Sequence, residues 1–213
     1  MAPFARILTV GLAALSLVVA APAHAFNSVV APGPDYVGET SMVGIEQPDN
    51  SALISISDPN LSISFGHQMQ VASVPATWLY WGRDTAVERN ETKLVWNRGA
   101  ETETITLSKP VSVFGVEAGP FNIGTYAITA RFYSGALCIG TVRRITDVFG
   151  NALLFAGRLP MQPIDRVTFE SQGTSGIAFA HFRHAAMAAI PEPGSFVLLL
   201  CGLPAALAFR RKK

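Results

Sequence analysis

The sequence predicts an all-β protein, an antiparallel β-sandwich of jelly-roll-like type. Short runs that alternate apolar and polar residues recur between residues 51 and 186. A period of two is typical of strands with one face in the core and one in water. Turn-forming residues separate these runs every 8 to 12 residues or so, as in sandwiches. No segment of this range combines a 3.6-residue apolar period with helix caps.

We expect roughly nine or ten strands in this region. They cover residues 53–57, 61–65, 93–97, 102–107, 111–116, 124–133, 137–145, 152–155, 165–170 and 177–183. Asp58-Pro59-Asn60 is a turn sequence, and Lys109-Pro110 is expected to end one strand before the next begins. The residues expected to face the core are Phe114, Val116, Ile128, Phe132 and Phe169, with Gly115 and Gly119 at close contacts. Residues 26–50 are expected to form an irregular arm with one edge strand near 36–43.

The first 25 residues predict a secretory signal peptide. They contain one cation, Arg6, an apolar run over 7–21 and the small-x-small sequence Ala23-His24-Ala25. These are the three regions that signal peptidase substrates share. We therefore expect export through the Sec translocon and a mature chain that begins at Phe26.

The last residues predict a short membrane-spanning helix. Pro191-Glu192-Pro193 should be extended, because proline fixes its own φ and restricts the residue before it. The uncharged run 194–209 would be about 24 Å long as a helix, short of a hydrocarbon core of roughly 30 Å. Four cations follow it and favour a cytoplasmic C-terminus. They are Arg210, Arg211, Lys212 and Lys213. Residues 187–190 are expected to be a linker.

This C-terminal arrangement resembles the PEP-CTERM sorting signal, in which Pro191-Glu192-Pro193 is the recognition motif. The resemblance implies an exosortase as partner, a transient stage in the inner membrane, and cleavage near the motif before the protein reaches the cell surface or the medium. Segments 111–120, 124–133, 150–155 and 177–182 also resemble the pattern of jelly-roll ectodomains common among PEP-CTERM proteins. That second resemblance implies an architecture and no activity.

The charge of the expected mature region argues against nucleic-acid binding, and its cysteine content argues against a disulfide. The expected mature region keeps 11 of the 16 Lys and Arg residues and 14 of the 15 acids, a net charge of −3. Such a chain is not expected to bind nucleic acid. Cys138 lies in an apolar, strand-like context and is expected to be a buried small hydrophobe. Cys201 lies in the tail, so no disulfide is expected.

No catalytic constellation is apparent, and we expect no enzyme activity. His67, His181 and His184 are expected to face solvent or to cap turns, with His181 and His184 on opposite faces of one strand. Glu101 and Glu103 would share a solvated strand face. No cofactor and no metal site are expected, although Asp58, Asp147 or Glu117 in loops could hold a structural Ca²⁺.

One aromatic cluster is a candidate glycan-binding site. All three tryptophans of the chain fall within nineteen residues, and the cluster consists of Trp78, Tyr80, Trp81 and Trp96. Aromatic faces stack on the C–H face of a sugar, whereas in a core they are simply buried. Alternation in a strand would place Trp78 and Tyr80 on one side and Leu79 and Trp81 on the other.

The sequence therefore predicts an exported, exosortase-processed, non-enzymatic surface or extracellular-matrix protein that accompanies exopolysaccharide, as in a biofilm. The alternative is a carbohydrate-binding module that uses the aromatic cluster. An enzyme ranks third. Binding to purified polysaccharide would separate the module from a protein that is only displayed.

Overall fold

The computed structural model describes residues 26–82, 86–89 and 92–187. Within these ranges the chain forms eleven strands and one short helix. The strands are β1 (Asn27–Val29), β2 (Ser41–Val43), β3 (Ala52–Ser57), β4 (Ser62–Ser73), β5 (Lys93–Trp96), β6 (Thr102–Pro120), β7 (Ala127–Ser134), β8 (Leu137–Ile145), β9 (Leu153–Arg158), β10 (Ile164–Ser171) and β11 (Ile177–Ala186). The helix is α1 (Pro34–Glu39). Every pairing between these strands is antiparallel, which confirms the predicted all-β class.

The long strand β6 organises the sheet. Its first part lies between β4 and β10, and its second part lies between β9 and β11. Beyond β10 the order continues through β7 to the edge strand β8, while β5 bridges β4 and β11. The two parts of β6 thus belong to the two halves of one continuous sheet.

The expected break at Lys109-Pro110 was wrong. The two segments predicted on either side of it are one strand of 19 residues. The register with β10 shifts here, since Val111 pairs with Ile164 whereas Thr106 pairs with Arg166. An irregularity in the ladder is a position where a proline, which has no N–H to donate, is tolerated without ending the strand.

The two halves of the sheet pack face to face over an aromatic core. Phe169 of β10 meets Phe155 of β9 at 5.6 Å and Phe179 of β11 at 4.9 Å between ring centroids, although neither strand pairs with β10. Phe65 of β4 and Phe182 of β11 are likewise 5.7 Å apart. The five residues predicted to face the core are all almost fully buried. This packing of unpaired strands agrees with the predicted sandwich.

Residues 26–50 are more regular than the arm that was expected, since they form β1, α1 and β2. The edge strand expected near 36–43 is present as β2, which pairs with β11 at the end of the strand order, and the helix precedes it. Pro34 stands at the helix start, where its missing N–H costs nothing. The Phe26 ring packs 5.1 Å from Phe132, and Tyr36 is buried at 2% exposure. The segment is thus part of the core.

The two chain ends leave the sandwich at the same side. Asn27 pairs with Arg158, which in turn pairs with Val113, and Ala186 pairs with Val111. The opposite end of β6, Pro120, pairs with Ile177. Pro120 is seven positions after Val113, so these two ends of β6 lie roughly 23 Å apart at about 3.3 Å per residue.

Two local predictions had different outcomes. The turn at Asp58-Pro59-Asn60 is confirmed, since the Asp58 carboxylate accepts N–H bonds from Asn60 and Leu61 at 2.7 and 2.6 Å. Cys138 is exposed, not buried. It lies in β8, whose one partner among the described strands is β7, and its side chain is on the same face as Tyr133 and away from the core.

Both terminal segments lie outside the described residues. This applies to the expected signal peptide over 1–25, the Pro191-Glu192-Pro193 motif, the apolar run 194–209 and the four terminal cations. In the part of the chain that the structure does describe, no helix has the length and apolar character needed to cross a membrane.

Candidate functional site, an aromatic pocket

An aromatic pocket lies at the end of the sandwich opposite the two chain ends. Three connections build it: the segment after β4, the turn after β6 and the loop after β8. Its volume is about 660 Å³, within the range of roughly 300–1,000 Å³ typical of ligand pockets. The residues that line it are Thr77, Trp78, Leu79, Tyr80, Pro120, Phe121, Asn122, Ile123, Phe149 and Gly150.

Phe121 is the best-supported ring of the pocket. It stacks on Trp96, with 4.7 Å between the centroids and 13° between the planes. Trp78 meets both rings edge-on, at 5.4 Å from Phe121 and 6.1 Å from Trp96. Phe121 nevertheless remains 46% exposed. Trp96 therefore fixes the orientation of a ring that still offers surface to a ligand.

Other apolar side chains extend this surface. Leu79 is 90% exposed, Ile123 77% and Phe149 60%. Tyr80 is about half exposed and brings a hydroxyl group to the pocket. Because isolated soluble domains rarely expose a contiguous set of large apolar groups, this end of the sandwich has the character of a binding surface.

The polar groups of the pocket are few and partly engaged. Thr77 donates its hydroxyl to Asp49 at 2.8 Å and accepts the N–H of Ser73 at 2.8 Å. The Ser73 hydroxyl also donates to Asp49, and the hydrogen bonds from the Ser73 and Thr77 hydroxyls lower the pKa of the Asp49 carboxyl. Asn122 donates its Nδ2 to the Ser175 hydroxyl at 3.0 Å. The loops are thus fixed by their own polar side chains.

The segment 74–82 is not a strand, so the expected alternation was wrong. Turns follow β4 directly, and Thr77 and Trp78 donate their N–H groups to the carbonyl of Ser73. Leu79 points into solvent while Trp81 is 2% exposed, although alternation would have placed both on one side. Turn geometry has no period of two, and this is why Leu79 and Trp81 separate.

The structure divides the predicted aromatic cluster into three roles. Trp78 and Tyr80 line the pocket. Trp96 supports Phe121 from behind. Trp81 lies beneath the pocket, where its indole N–H donates to Glu117 Oε2 at 2.8 Å. Sequence reasoning missed Phe121, Ile123 and Phe149. The sequence Gly119-Pro120 was the available signal for the first two, because it predicts the end of a strand directly before them.

A buried carboxylate connects the loop that carries the pocket to the sheet. Glu117 was expected in a loop, where it could bind Ca²⁺, and this expectation was wrong. It lies in β6 and its side chain is 0% exposed. Besides Trp81, it accepts the N–H of Glu88 at 2.6 Å and lies 2.7 Å from His181 Nδ1. The Trp81 carbonyl accepts the N–H of Ala152 at 2.7 Å. The loop is therefore held by buried polar contacts.

A buried contact between Arg183 and Glu88 continues this network. The Arg183 guanidinium forms a two-point contact with Glu88, with Nη2 at 2.9 Å from Oε2. Its Nη1 reaches the carbonyl of Thr40 at 3.1 Å. Burial, and next the Glu88 carboxylate, raises the pKa of the nearby Tyr36 hydroxyl. Arg183 thus links the segment after β4 with the segment that follows α1.

The histidines of β11 are buried, so their expected exposure was wrong. His181 is 7% exposed and His184 5%. His181 has a left-handed φ of 50° at a register shift of β11, where an extra residue turns it toward Glu117. His184 Nε2 lies 2.8 Å from Asp58 Oδ2. Each ring is thus satisfied by a carboxylate of its own.

The expected solvated pair Glu101 and Glu103 is also divided. Glu101 is exposed and accepts the N–H of Gly173 at 2.7 Å. Glu103 is 1% exposed and accepts N–H groups of Gly66 and Thr104 at 2.7 and 3.0 Å. Its other oxygen lies 3.1 Å from Nδ1 of the half-exposed His67. Glu103 fixes backbone where two strands meet, and Glu101 does not accompany it in the core.

The calcium ligands considered from sequence are engaged by protein donors. The Asp147 carboxylate accepts the N–H of Phe149 at 3.0 Å and the side-chain amide of Asn151 at 2.5 Å. For Asp58, burial alone would raise the pKa, but hydrogen bonds from His184 and from two N–H groups hold it below its usual value. Among the residues described, no group of three or more His, Cys, Asp or Glu side chains is placed to hold a metal ion.

One set of side chains has the order of groups found in hydrolase triads. The Thr92 hydroxyl lies 3.0 Å from His181 Nε2, and His181 Nδ1 lies 2.7 Å from Glu117. However, the side chains of His181 and Glu117 are 5% and 0% exposed, and the residues that line the pocket do not include them. The Thr92 hydroxyl also reaches the Lys93 carbonyl at 3.1 Å. His181 and Glu117 therefore belong to the buried network described above, while Thr92 is partly buried at its margin.

Comparison with known proteins gives distant likenesses. No protein-family model and no curated protein matches the chain. The enzymatically active domain of tailspike protein 4 from bacteriophage CBA120 is 14% identical in sequence. The match covers 60% of this chain and 19% of the tailspike chain, with a TM-score of 0.31. A family 11 carbohydrate-binding module from Clostridium thermocellum is 10% identical in sequence. The match covers 75% of this chain and 98% of the module, with a TM-score of 0.25. Likenesses at this level carry no argument about the site, and the chain spans less than a fifth of the tailspike domain's length.

Proposed function

We propose that this chain is an exported, non-enzymatic surface protein whose aromatic pocket binds a glycan. The observation that carries the proposal is the position of Trp78, Tyr80, Phe121 and Phe149 around one pocket of about 660 Å³. Ring faces complement the C–H faces of sugars, and a pocket of this size admits a short stretch of a polysaccharide.

The arrangement of rings favours a preformed site. Phe121 is held against Trp96 by stacking, and Trp78 by edge contacts to both. Beneath them, Trp81 is fixed by Glu117. Side chains that are already ordered lose little conformational entropy when a ligand binds. The fixed orientation of these rings is the preorganisation expected of a binding pocket. A loop that binds no ligand does not need it.

The position of the pocket suits a displayed protein. Both Asn27 and Ala186 lie at the end of the sandwich away from Pro120 and Phe121. A protein retained through a C-terminal tail, or joined to a support near residue 191, would present the pocket outward. Its glycan partner in this proposal is an exopolysaccharide of the cell surface or matrix.

Affinity electrophoresis in gels that contain purified host exopolysaccharide or neutral β-glucans tests the proposal. The intact protein should be retarded, and Tyr80→Ala and Phe149→Ala should each migrate as in a polymer-free gel. Tyr80 is 48% exposed and Phe149 60%, so the loss of either side chain should leave the fold intact. Leu137→Ala, at an equally exposed position on the edge strand β8, is the matched control and should be retarded like the intact protein. Equal retardation of all four proteins, or of none, would remove the pocket from the account.

We further propose that export and sorting follow the PEP-CTERM route. Its support is the order of Pro191-Glu192-Pro193, the apolar run 194–209 and the terminal cations in the sequence. The exosortase supplies the reacting groups, and this chain supplies the recognition motif. The jelly-roll connectivity that the same resemblance implies belongs to this proposal.

Intact mass spectrometry of the protein from its native host tests this route. A C-terminus near Pro191 is expected, with an N-terminus at Phe26. The double variant Pro191→Ala, Pro193→Ala should keep the tail. A native mass that includes 196–213, unchanged in the variant, would instead identify a simple tail anchor.

A further inference from the structure

We propose that the pocket selects a neutral polysaccharide that carries acyl substituents, such as O-acetyl esters, over the same polymer with free hydroxyls. This inference rests on the proposed function, because it names the ligand class of the same pocket. Three properties of the lining carry it: its lack of charge, its shortage of free hydrogen-bonding side chains and the exposure of its aliphatic groups.

The lining is uncharged. Of the ten described residues that surround the pocket, none is Asp, Glu, Lys or Arg. An acidic sugar placed there would lose hydration of its carboxylate without gaining a cation in return. The ligand class is therefore neutral at the sugar units that enter the pocket.

The lining also offers few partners for hydroxyl groups. Thr77 uses its hydroxyl both to donate to Asp49 and to accept from Ser73. The amide nitrogen of Asn122 is bonded to Ser175. What remains among the lining side chains is the Tyr80 hydroxyl, the Trp78 indole N–H, and the carbonyl and second amide hydrogen of Asn122, fewer groups than the hydroxyls of two sugar units. A sugar with a full set of hydroxyls would bury several of them without partners, and each such group is unfavourable.

Aliphatic and aromatic surface takes the place of those partners. Leu79 and Ile123 are 90% and 77% exposed, and Phe149 is 60% exposed beside them. An acetyl ester exchanges a hydroxyl donor for a carbonyl acceptor and a methyl group. The carbonyl can accept from the Tyr80 hydroxyl, and the methyl group can be buried against the exposed apolar side chains.

A matched pair of polymers tests the inference. Partially O-acetylated glucomannan and the same material after mild alkaline de-acetylation differ only in their acetyl esters. Isothermal titration of each with the mature protein should give a Kd at least about fourfold lower for the acetylated form, since about 0.8 kcal/mol accompanies each buried methyl-sized group. Polyuronate, such as alginate, should not bind.

Variants locate the preference in the pocket. Leu79→Asn replaces the most exposed apolar side chain of the pocket with a polar one of similar size. The ratio of the Kd for de-acetylated glucomannan to the Kd for the acetylated form should then fall from about four toward one. Leu137→Asn makes the same change on β8, outside the pocket, and should leave the ratio as it is. Thermal unfolding of both variants should match the unaltered protein, because both positions are exposed.

The outcomes separate this inference from the proposed function. Equal affinity for the two glucomannans, or tighter binding of the de-acetylated form, would overturn the acyl preference while glycan binding stands. If host exopolysaccharide binds but neither glucomannan does, the same comparison is made on host exopolysaccharide before and after mild alkaline de-acetylation, and equal affinity for those two would also overturn the acyl preference. Failure to bind any polymer would overturn the proposed function, and the acyl preference with it.

Discussion

Glu117 is the single residue on which the position of the pocket loop most depends. Its two oxygens engage the Trp81 indole, the Glu88 N–H and His181, all within 2.8 Å. A buried carboxylate is tolerated only because these donors replace water. Removal of the carboxylate would leave three buried polar groups without a partner.

We therefore expect Glu117→Ala to lower the free energy of unfolding by about 3 kcal/mol or more, the usual result of breaking a buried charged network. Urea unfolding at neutral pH measures the change. Glu46→Ala, at an exposed glutamate, is the control and should stay within about 0.5 kcal/mol of the unaltered protein. A loss below about 1 kcal/mol for Glu117→Ala would show that the network does not hold the loop.

Asp58 predicts a pH dependence with a defined sign. Its pKa is held below the usual value of 3.8, despite burial, by hydrogen bonds from His184, Leu61 and Asn60. A depressed folded-state pKa stabilises the protein above the unfolded-state pKa, and the stabilisation is lost as the pH falls through the folded-state value. Asp58→Asn should accordingly lower the Tm at about pH 5, and the difference from the unaltered protein should narrow by about pH 3. Differential scanning calorimetry at the two pH values is the measurement. A difference of the same size at both would contradict the role given to this carboxylate.

Among the elements, β6 has the strictest packing requirements. Its residues 113–120 are buried without interruption, because β9 and β11 flank this part while α1 and the core cover its two faces. Gly115 lies where α1 approaches. A Cβ at this position would be 2.6 Å from the Ala156 Cβ and would collide with the Tyr36 hydroxyl.

Gly115→Ala should thus destabilise the protein by about 1–3 kcal/mol, the usual effect of overpacking. Gly38→Ala is the matched control, since nothing lies within 4 Å of a Cβ there. Because Gly38 is inside α1, its replacement by alanine should leave stability unchanged or raise it by up to about 1 kcal/mol. Chemical denaturation of both variants distinguishes them. Equal stability of Gly115→Ala and the unaltered protein would mean that α1 does not pack on β6 as described.

Most of the strands could be predicted from sequence because their burial alternates. The run 124–133 and the run 61–65 show this well, since both carry core side chains at every second residue. The merger of 102–107 with 111–116 could not be predicted, because Pro110 ends most strands and only the shifted register with β10 accommodates it. The helix α1 escaped prediction for another reason: six residues are too few to show a helical period.

The buried polar residues were the least predictable. Glu103 was expected to face solvent, but backbone N–H groups of β4 bind its carboxylate in the core. His181 and His184 were expected to face solvent on opposite faces of one strand, but a bulge in β11 changes their surroundings. Such contacts join residues more than thirty positions apart. Local sequence patterns contain no information about them.

For the whole molecule, the main feature is the separation of its two ends. The chain ends leave beside Val111 and Val113, and the pocket lies beyond Pro120. The sequence placed the tryptophans together, yet three separate connections had to meet before Phe121, Ile123 and Phe149 could join Trp78. The pocket is a product of the antiparallel topology, which brings alternate strand ends to the same edge.

Titration of tryptophan fluorescence with soluble fragments of host exopolysaccharide tests the glycan pocket most directly. Trp78 lines the pocket, and Trp96 supports its central ring. A saturable change in emission is expected for the unaltered protein, with no change for Tyr80→Ala and an unaltered titration for Leu137→Ala. An emission that stays constant throughout for the unaltered protein, or a titration that survives in Tyr80→Ala, would contradict glycan binding at this site.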